Sequence, residues 1–183
     1  ADHVHTVMLP SPYTSNDSVE DAVATAKALG CDFDMLPIYP AMRAFQQILQ
    51  VPFAGYGADV AEENIQARSR GLVLMALSNK FNQMLLATGN KSEMATGYAT
   101  LYGDMCGGYA PLKDLYKTDV YKVAEFAVQQ NGPVIPERVF TKAPTAELRP
   151  NQTDQDNLPP YDVLDEVLSC IIDRNMSLGD IVA

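Results

Sequence analysis

The first fifty residues carry the pattern that most restricts the fold, because apolar runs short enough for strands alternate there with stretches of helical period. Residues 3–9 (HVHTVML) alternate and then turn wholly apolar, as a buried strand does, and Pro10 ends the run. After the polar turn SPYTSND, Val19, Ala22, Val23 and Ala26 recur at i, i+3, i+4 and i+7 within residues 18–29, and Gly30 supplies a helix stop. A second short strand is predicted around residues 33–38, bounded by Pro40, followed by a short helix with Phe45, Ile48 and Leu49 on one face. Strand, helix, strand, helix in that order predicts an α/β fold built on a parallel sheet.

The chain has 183 residues, about one domain's worth, and enough to bury a core. Its formal net charge of -10 argues against nucleic acid as a partner, since binding phosphate backbones needs a basic footprint. No apolar run reaches the roughly 18 residues of a membrane span, and the first residues lack a signal-peptide layout. The 3 cysteines, Cys31, Cys106 and Cys170, stand at spacings far from any zinc or redox motif, which fits a reducing compartment. These readings together predict a cytoplasmic protein with no membrane partner.

Further along, VPFAGYGA (51–58) reads as a turn-rich loop, and residues 59–80 form the longest helical pattern, opening with Asp59, Glu62 and Glu63 where the helix dipole favours acids. A buried strand is predicted over residues 83–87, then the polar turn TGNKSE and a glycine-rich stretch over 97–108. Thr118 is the expected N-cap of a helix reaching residue 131, with Val120, Val123, Ala124 and Ala127 facing inward and Gly132-Pro133 stopping it. Residues 133–159 are rich in proline and have no apolar period, the signature of a mobile lid loop. A last helix over 161–174 is expected to bury Val163, Leu164, Val167, Leu168 and Ile171, and Ser177 with Asp180 in the closing SLGDIVA has capping-box spacing.

In open α/β sheets ligands bind beyond the carboxyl ends of the strands, so candidate sites follow Leu9, Ile38 and Ala87. The last is richest: Thr88 to Glu93 offers a hydroxyl, a flexible backbone, a cation and a carboxylate at a strand-to-helix junction, able to hold a phosphate and a divalent ion. A plain glycine turn followed by a Ser-capped helix is the simpler alternative. Asn64 and Arg68 share a helix face at i and i+4, whereas Arg68 and Arg70 diverge by about 200° and cannot serve one ligand closely. Lys117, beside free backbone N–H groups at a helix start, is a candidate phosphate ligand or an ordinary surface lysine. Walker A, GxGxxG and nucleophile-elbow motifs are absent, and His3 and His5 alone do not make a metal site.

Four blocks, ENIQARSRG (63–71), LLATGNKSEMATGY (85–98), LYGDMCGGYAPLKDLYKTDVY (101–121) and KAPTAELRPNQTDQDNLPPYDVLD (142–165), closely resemble the synthetase domain of glutamine-dependent NAD synthetases. The earlier MLPSPYTS turn falls in the same order and spacing, so the resemblance covers nearly the whole chain. GNKSE, where the stand-alone ammonia-dependent branch has a GTDHAAE-type turn, points to the glutamine-dependent branch. The resemblance implies an adenine nucleotide α-hydrolase-like (N-type ATP pyrophosphatase) fold, a parallel sheet with helices on both faces.

It also implies an AMP-forming ligase of NAD biosynthesis. Such enzymes adenylate the nicotinate carboxylate of deamido-NAD with ATP and Mg²⁺, release pyrophosphate, and let ammonia displace AMP. The ammonia comes from glutamine by way of a separate glutaminase domain, or directly. By position, Thr88, Lys117 and Thr145 match ATP contacts, Asn64 and Arg68 match deamido-NAD contacts, and Glu93 matches a residue that binds Mg²⁺ or the deamido-NAD side. Thr145 has no signal in the residues apart from the resemblance. Leu101 and Gly108 stand where the ammonia-dependent branch places a lysine and an aspartate, so those two contacts do not transfer.

The family's SGGxDS pyrophosphate loop is expected upstream of the first strand and a basic tail after the last helix. Residues 1–183 lack both and therefore read as a single partial synthetase domain, expected to be impaired in turnover by itself. A homodimer or larger homo-oligomer is implied by the resemblance. Three other readings stand beside it: a module that binds adenine nucleotides without reacting them; another amide-forming ATP pyrophosphatase akin to GMP synthetase, against which GNKSE and KAPTAEL argue; and a purely structural role, favoured only if no nucleotide shifts the protein's stability.

Overall fold

The computed structural model describes residues 3–182. Strand β1 (His5–Met8) runs into helix α1 (Asn16–Leu29), then β2 (Asp32–Met35) and α2 (Tyr39–Leu49). The two strands pair in parallel with Thr6 opposite Phe33 and Met8 opposite Met35. The ladder continues past the strand ends, since Leu36 N donates to Met8 O and Ile38 N to Pro10 O. This is the α/β, parallel arrangement predicted from the opening alternation.

Helix α1 starts where chemistry allows: the Ser15 side chain accepts from Ser18 N, and Gly30 in the left-handed region at φ 65° closes the last turn. The long helix α3 (Val60–Phe81) opens on a capping box between Asp59 and Glu62 and ends on left-handed Asn82. Leu9, Ile38 and Met42 form the buried core, with Val7, Leu36, Val73 and Leu74 packed against them, so α2 and α3 cover one face of the strand pair.

Residues 83–87 do not make the expected buried strand. They contribute one parallel bridge, Leu86 to Tyr109, with Ala87 N donating to Tyr109 O and Gly108 N to Leu85 O. Met84 and Leu86 stay largely exposed. The bridge depends on a missing side chain, because a Cβ on Gly107 would lie 2.7 Å from Ala87 N. A similar approach joins α3 to the following turn, where Gly103 sits so that a Cβ would be 2.9 Å from the Ala67 Cβ.

Helix α4 (Lys91–Thr96) leads through that turn to α5 (Lys117–Asn131), which begins two residues earlier than expected, with Tyr116 rather than Thr118 as N-cap. The proline-rich segment contains helix α6 (Glu137–Thr141) and a 3₁₀ turn at Asp154–Asp156 before α7 (Tyr161–Ile172). Local capping rather than an apolar stripe shapes the 3₁₀ turn, with Thr153 and Asp156 bonded reciprocally. Helix α8 (Leu178–Val182) completes the order, and Asp180 N donates to Ser177 Oγ as its spacing suggested.

The predicted inward faces of the later helices are only partly buried. Val123 is 50% exposed, Val163 53% and Ile171 41%, while Leu164 is buried. Val23 and Ile48 on the earlier helices are exposed as well. Periodicity locates an apolar stripe but does not say what covers it, and in this chain part of each stripe faces outward. No helix among the described residues is long and apolar enough to cross a membrane.

Candidate active site

A cavity of about 860 Å³ opens beyond the carboxyl end of β1 and under the proline-rich segment. Leu9 and Pro10 line it from the strand side, and Thr88, Glu93, Lys117 and Thr145 line it from three separate stretches of chain. Two of the three strand-end positions predicted from the sequence therefore border it. The third does not: Ile38 is 2% exposed and packs in the core, its N–H already bonded to Pro10 O.

The turn after Ala87 positions Glu93 twice over. Asn90, not Ser92, caps α4: its side chain accepts from Glu93 N at 3.0 Å, and Glu93 Oε2 accepts from Asn90 N at 3.1 Å. The other carboxylate oxygen, Oε1, accepts from Lys117 Nζ at 3.0 Å. The Lys117 ammonium also lies 5.3 Å from the centre of the Tyr161 ring, a cation–π arrangement that holds the charge without spending a hydrogen bond. A cation at the first turn of α5 thus stands beside a carboxylate at the first turn of α4, both facing the cavity.

Around this pair the wall is polar and partly desolvated. Arg70 donates through Nε to Leu9 O at 2.9 Å, and burial lowers its pKa although Glu147 and Asp104 oppose the shift. Burial pushes the Asp104 carboxyl up, even with the Thr100 N–H bonded to it. The Tyr98 phenol is pushed up to about 12 by burial and by Asp154. Tyr161, which donates to Asp154 Oδ2 at 2.7 Å, moves in the same direction for the same reasons.

The roof is the segment that carries Thr145. Lys142 Nζ donates to Ser15 Oγ, Ser18 Oγ and Glu147 Oε1, each at 2.8 Å. Glu147 in turn accepts from Ser15 N and from both hydroxyls, which seats its carboxylate at the positive end of α1. Glu147 holds a φ of 50°, a backbone region a non-glycine residue occupies at some cost, so these contacts over-determine its place. The sequence reading did not include Ser15, Ser18, Lys142 or Glu147 as site residues. The available signals were the KAPTAE block and the MLPSPYTS turn that ends in Ser15, and nothing local joins them, since 124 or more residues separate Lys142 from its serine partners.

Asn64 and Arg68 lie apart from this cavity. Asn64 Oδ1 accepts from Thr100 Oγ1 at 2.8 Å, and Arg68 Nε donates to Leu101 O at 3.2 Å. Arg68 borders a second, smaller and mainly apolar pocket of about 270 Å³ with Phe45, Leu72 and Tyr102. The structure thus brings Thr88, Glu93, Lys117 and Thr145 together and separates them from Asn64 and Arg68, while Arg70, on the opposite face of α3, reaches the main cavity instead.

For a divalent cation the donor set is thin. Among the described residues no group of three or more His, Cys, Asp or Glu side chains converges. Glu93 offers one carboxylate beside a lysine, which fits Mg²⁺ in its usual mode of one or two protein carboxylates completed by water and substrate phosphates, and does not fit an all-protein cage.

The family model for NAD synthase matches residues 1–183. The chain belongs to the NAD synthase family. A glutamine-dependent NAD(+) synthetase from Acinetobacter baylyi is 53% identical to it over 184 residues, covering 100% of this chain and 34% of that protein. This NAD synthase chain spans about a third of the length of the curated relatives it matches. Among solved structures, the glutamine-dependent NAD+ synthetase of Acinetobacter baumannii in complex with adenosine diphosphate superposes with a TM-score of 0.74 at 45% identity, covering 97% of this chain and 31% of that one. The NMN synthetase of Francisella tularensis superposes at 0.80 with 29% identity, covering 90% and 66%. The fold is the ATP pyrophosphatase type shared by these NAD synthetases.

Proposed function

We propose that this NAD synthase domain serves the ATP-dependent amidation of deamido-NAD to NAD, with ammonia drawn from glutamine through a glutaminase domain or taken directly. The single observation that carries the reading is the convergence of Thr88, Glu93, Lys117 and Thr145 on one cavity at a strand end. The glutamine-dependent relatives and the ADP-bound neighbour support the substrate class.

The chemistry has two steps. A nicotinate carboxylate oxygen attacks the α-phosphorus of ATP and pyrophosphate leaves. Ammonia then attacks the carbonyl carbon of the mixed anhydride, AMP leaves with the bond electrons, and the nitrogen gives up a proton. Activation is required because a free carboxylate resists nucleophiles, whereas AMP is a competent leaving group. Lys117 Nζ, oriented by Glu93, binds phosphate oxygens and offsets the charge that builds on them. Thr88 and Thr145 donate hydroxyls to the nucleotide from floor and roof. Mg²⁺, when bound through Glu93 and the phosphates, supplies Lewis-acid neutralisation of the polyphosphate. Asn64 and Arg68 serve deamido-NAD from their separate surface, which asks the dinucleotide to extend from the main cavity toward α3.

The roof segment, residues 133–159, acts as a lid, and the protein works in the cytoplasm as a homodimer or larger homo-oligomer. The likeness to the NMN synthetase favours one other reading, amidation of the mononucleotide rather than the dinucleotide. The test uses the full-length protein with ATP, Mg²⁺, ammonium or glutamine, and either nicotinate nucleotide. NAD formation with one AMP per turnover is expected. Preference for the mononucleotide would move the reading to the second substrate, and ATP binding without AMP release would leave a nucleotide-binding module.

A further inference from the structure

Behind the Glu93–Lys117 pair lies a second set of contacts, closed to solvent. Ser92 is 0% exposed and Asp165 on α7 is 5% exposed. Ser92 Oγ donates to Asp165 Oδ1 at 2.5 Å and accepts from Lys117 N at 2.8 Å, while Thr118 N donates to Asp165 Oδ2 at 2.9 Å. Helix α5 has no side-chain cap of its own, because Tyr116 occupies the N-cap. Its first two N–H groups are satisfied instead by a serine from α4 and a carboxyl from α7.

The arrangement has a geometric consequence. Ser92 and Glu93 are adjacent on α4, and Ser92 binds the main-chain nitrogen of the same lysine whose ammonium Glu93 binds. The spacing between carboxylate and ammonium is therefore set from behind, at both ends of the lysine. Two of the N–H groups that any helix start leaves free are met here from two other helices. Here one carboxyl accepts from a hydroxyl and an amide at once, which also fixes the hydroxyl's lone pairs toward Lys117 N. An amide at position 165 would keep one acceptor and turn an NH₂ group toward either the serine or the Thr118 N–H, breaking the relay without changing its volume.

We propose that Ser92 and Asp165 are positioning residues of the synthetase reaction, acting through Lys117 to hold its ammonium at the nucleotide phosphates. This rests on the functional reading above. The test is a double-mutant cycle in the full-length protein, S92A and D165N each made alone and in a K117M background, with turnover, ATP dissociation constants and urea midpoints measured on every variant. Displacing a group that must meet a reacting centre within about 1 Å costs on the order of 100-fold, so each single variant is expected to lose about 10- to 100-fold in kcat/KM for ATP, with KM for deamido-NAD unchanged. In the K117M background the same substitutions should cost less than about 2-fold in kcat/KM while still lowering the urea midpoint as much as before. That split between activity and stability is what a cap alone does not produce. Losses that multiply with K117M, or single variants that lose stability and keep kcat/KM for ATP, would overturn the proposal. Should the wild type form no NAD, the functional reading fails by itself, and the cycle in ATP dissociation constants then decides the coupling. A wild type that binds no ATP would overturn both.

Discussion

Gly107 shows how much of the site rests on one hydrogen atom in place of a methyl group. Its position lets the 107–109 stretch reach Ala87 and Leu85 and form the parallel bridge that aims Thr88 into the cavity. A Cβ there would meet Ala87 N at 2.7 Å and Leu85 O at 3.1 Å, both main-chain atoms that cannot swing away. Gly107→Ala is expected to lose roughly 1–3 kcal/mol, read as a lower urea midpoint, and to weaken ATP binding with it. Gly97, with open space around its Cβ position, provides the contrast, since any cost of Gly97→Ala comes from its φ of 70° alone. Sequence reading recognised the glycine-rich stretch as one without period, but which glycine is the contact became visible only with the bridge in place. Glu93 and Lys117 were legible as residues from the polar turn and from the helix start. Their 3.0 Å pairing was not, since 24 residues separate them and only the packing of α4 on α5 closes the distance.

At the scale of elements, the proline-rich segment has no apolar period and is held instead by charge. The Arg138 guanidinium binds Asp17, Glu20 and Asp21 on α1, and Lys142 and Glu147 join Ser15 and Ser18 at the start of the same helix. Periodicity cannot report such a strap, because its partners lie more than a hundred residues away in sequence. Burial pushes the Glu147 carboxyl up, but Lys142 and the serine donors outweigh it, so its pKa falls below the ordinary 4.5. A depressed carboxylate stabilises the folded form above its unfolded pKa, and that contribution is lost as pH falls through the lower folded value. Hydrogen exchange across residues 142–148 should therefore quicken as pH drops below about 4.5, after correction for intrinsic rates, and E147Q should show fast exchange already at neutral pH. Arg138→Ala is expected to speed proteolysis between α5 and α6 while leaving the α4–α5 contacts intact, which limited digestion followed by mass analysis would read. Slow exchange in E147Q would count against the strap as the lid's fastening.

For the whole molecule, the functional reading requires that nucleotide and fold stabilise each other. A ligand at 100 times its dissociation constant adds about 2.7 kcal/mol to the stability of the state that binds it, so ATP with Mg²⁺ should raise the urea midpoint of the full-length protein, and K117M should remove most of that rise. Unchanged midpoints in the wild type would place the nucleotide elsewhere. The sequence by itself determined the α/β order, the helix stops at Gly30 and after residue 131, and the identity of Thr88, Glu93 and Lys117, because each of these is carried by local chemistry, a cap, a break in period or a polar turn, whereas Thr145 is marked only by the family resemblance. Only the tertiary structure decided that Ile38 belongs to the core, that Asn64 and Arg68 bind the 100–101 turn, and that Asp165 reaches α5 from α7. The reason is one of range: capping and periodicity act within a few residues, whereas an acceptor 47 residues from its donor is found by packing three helices together.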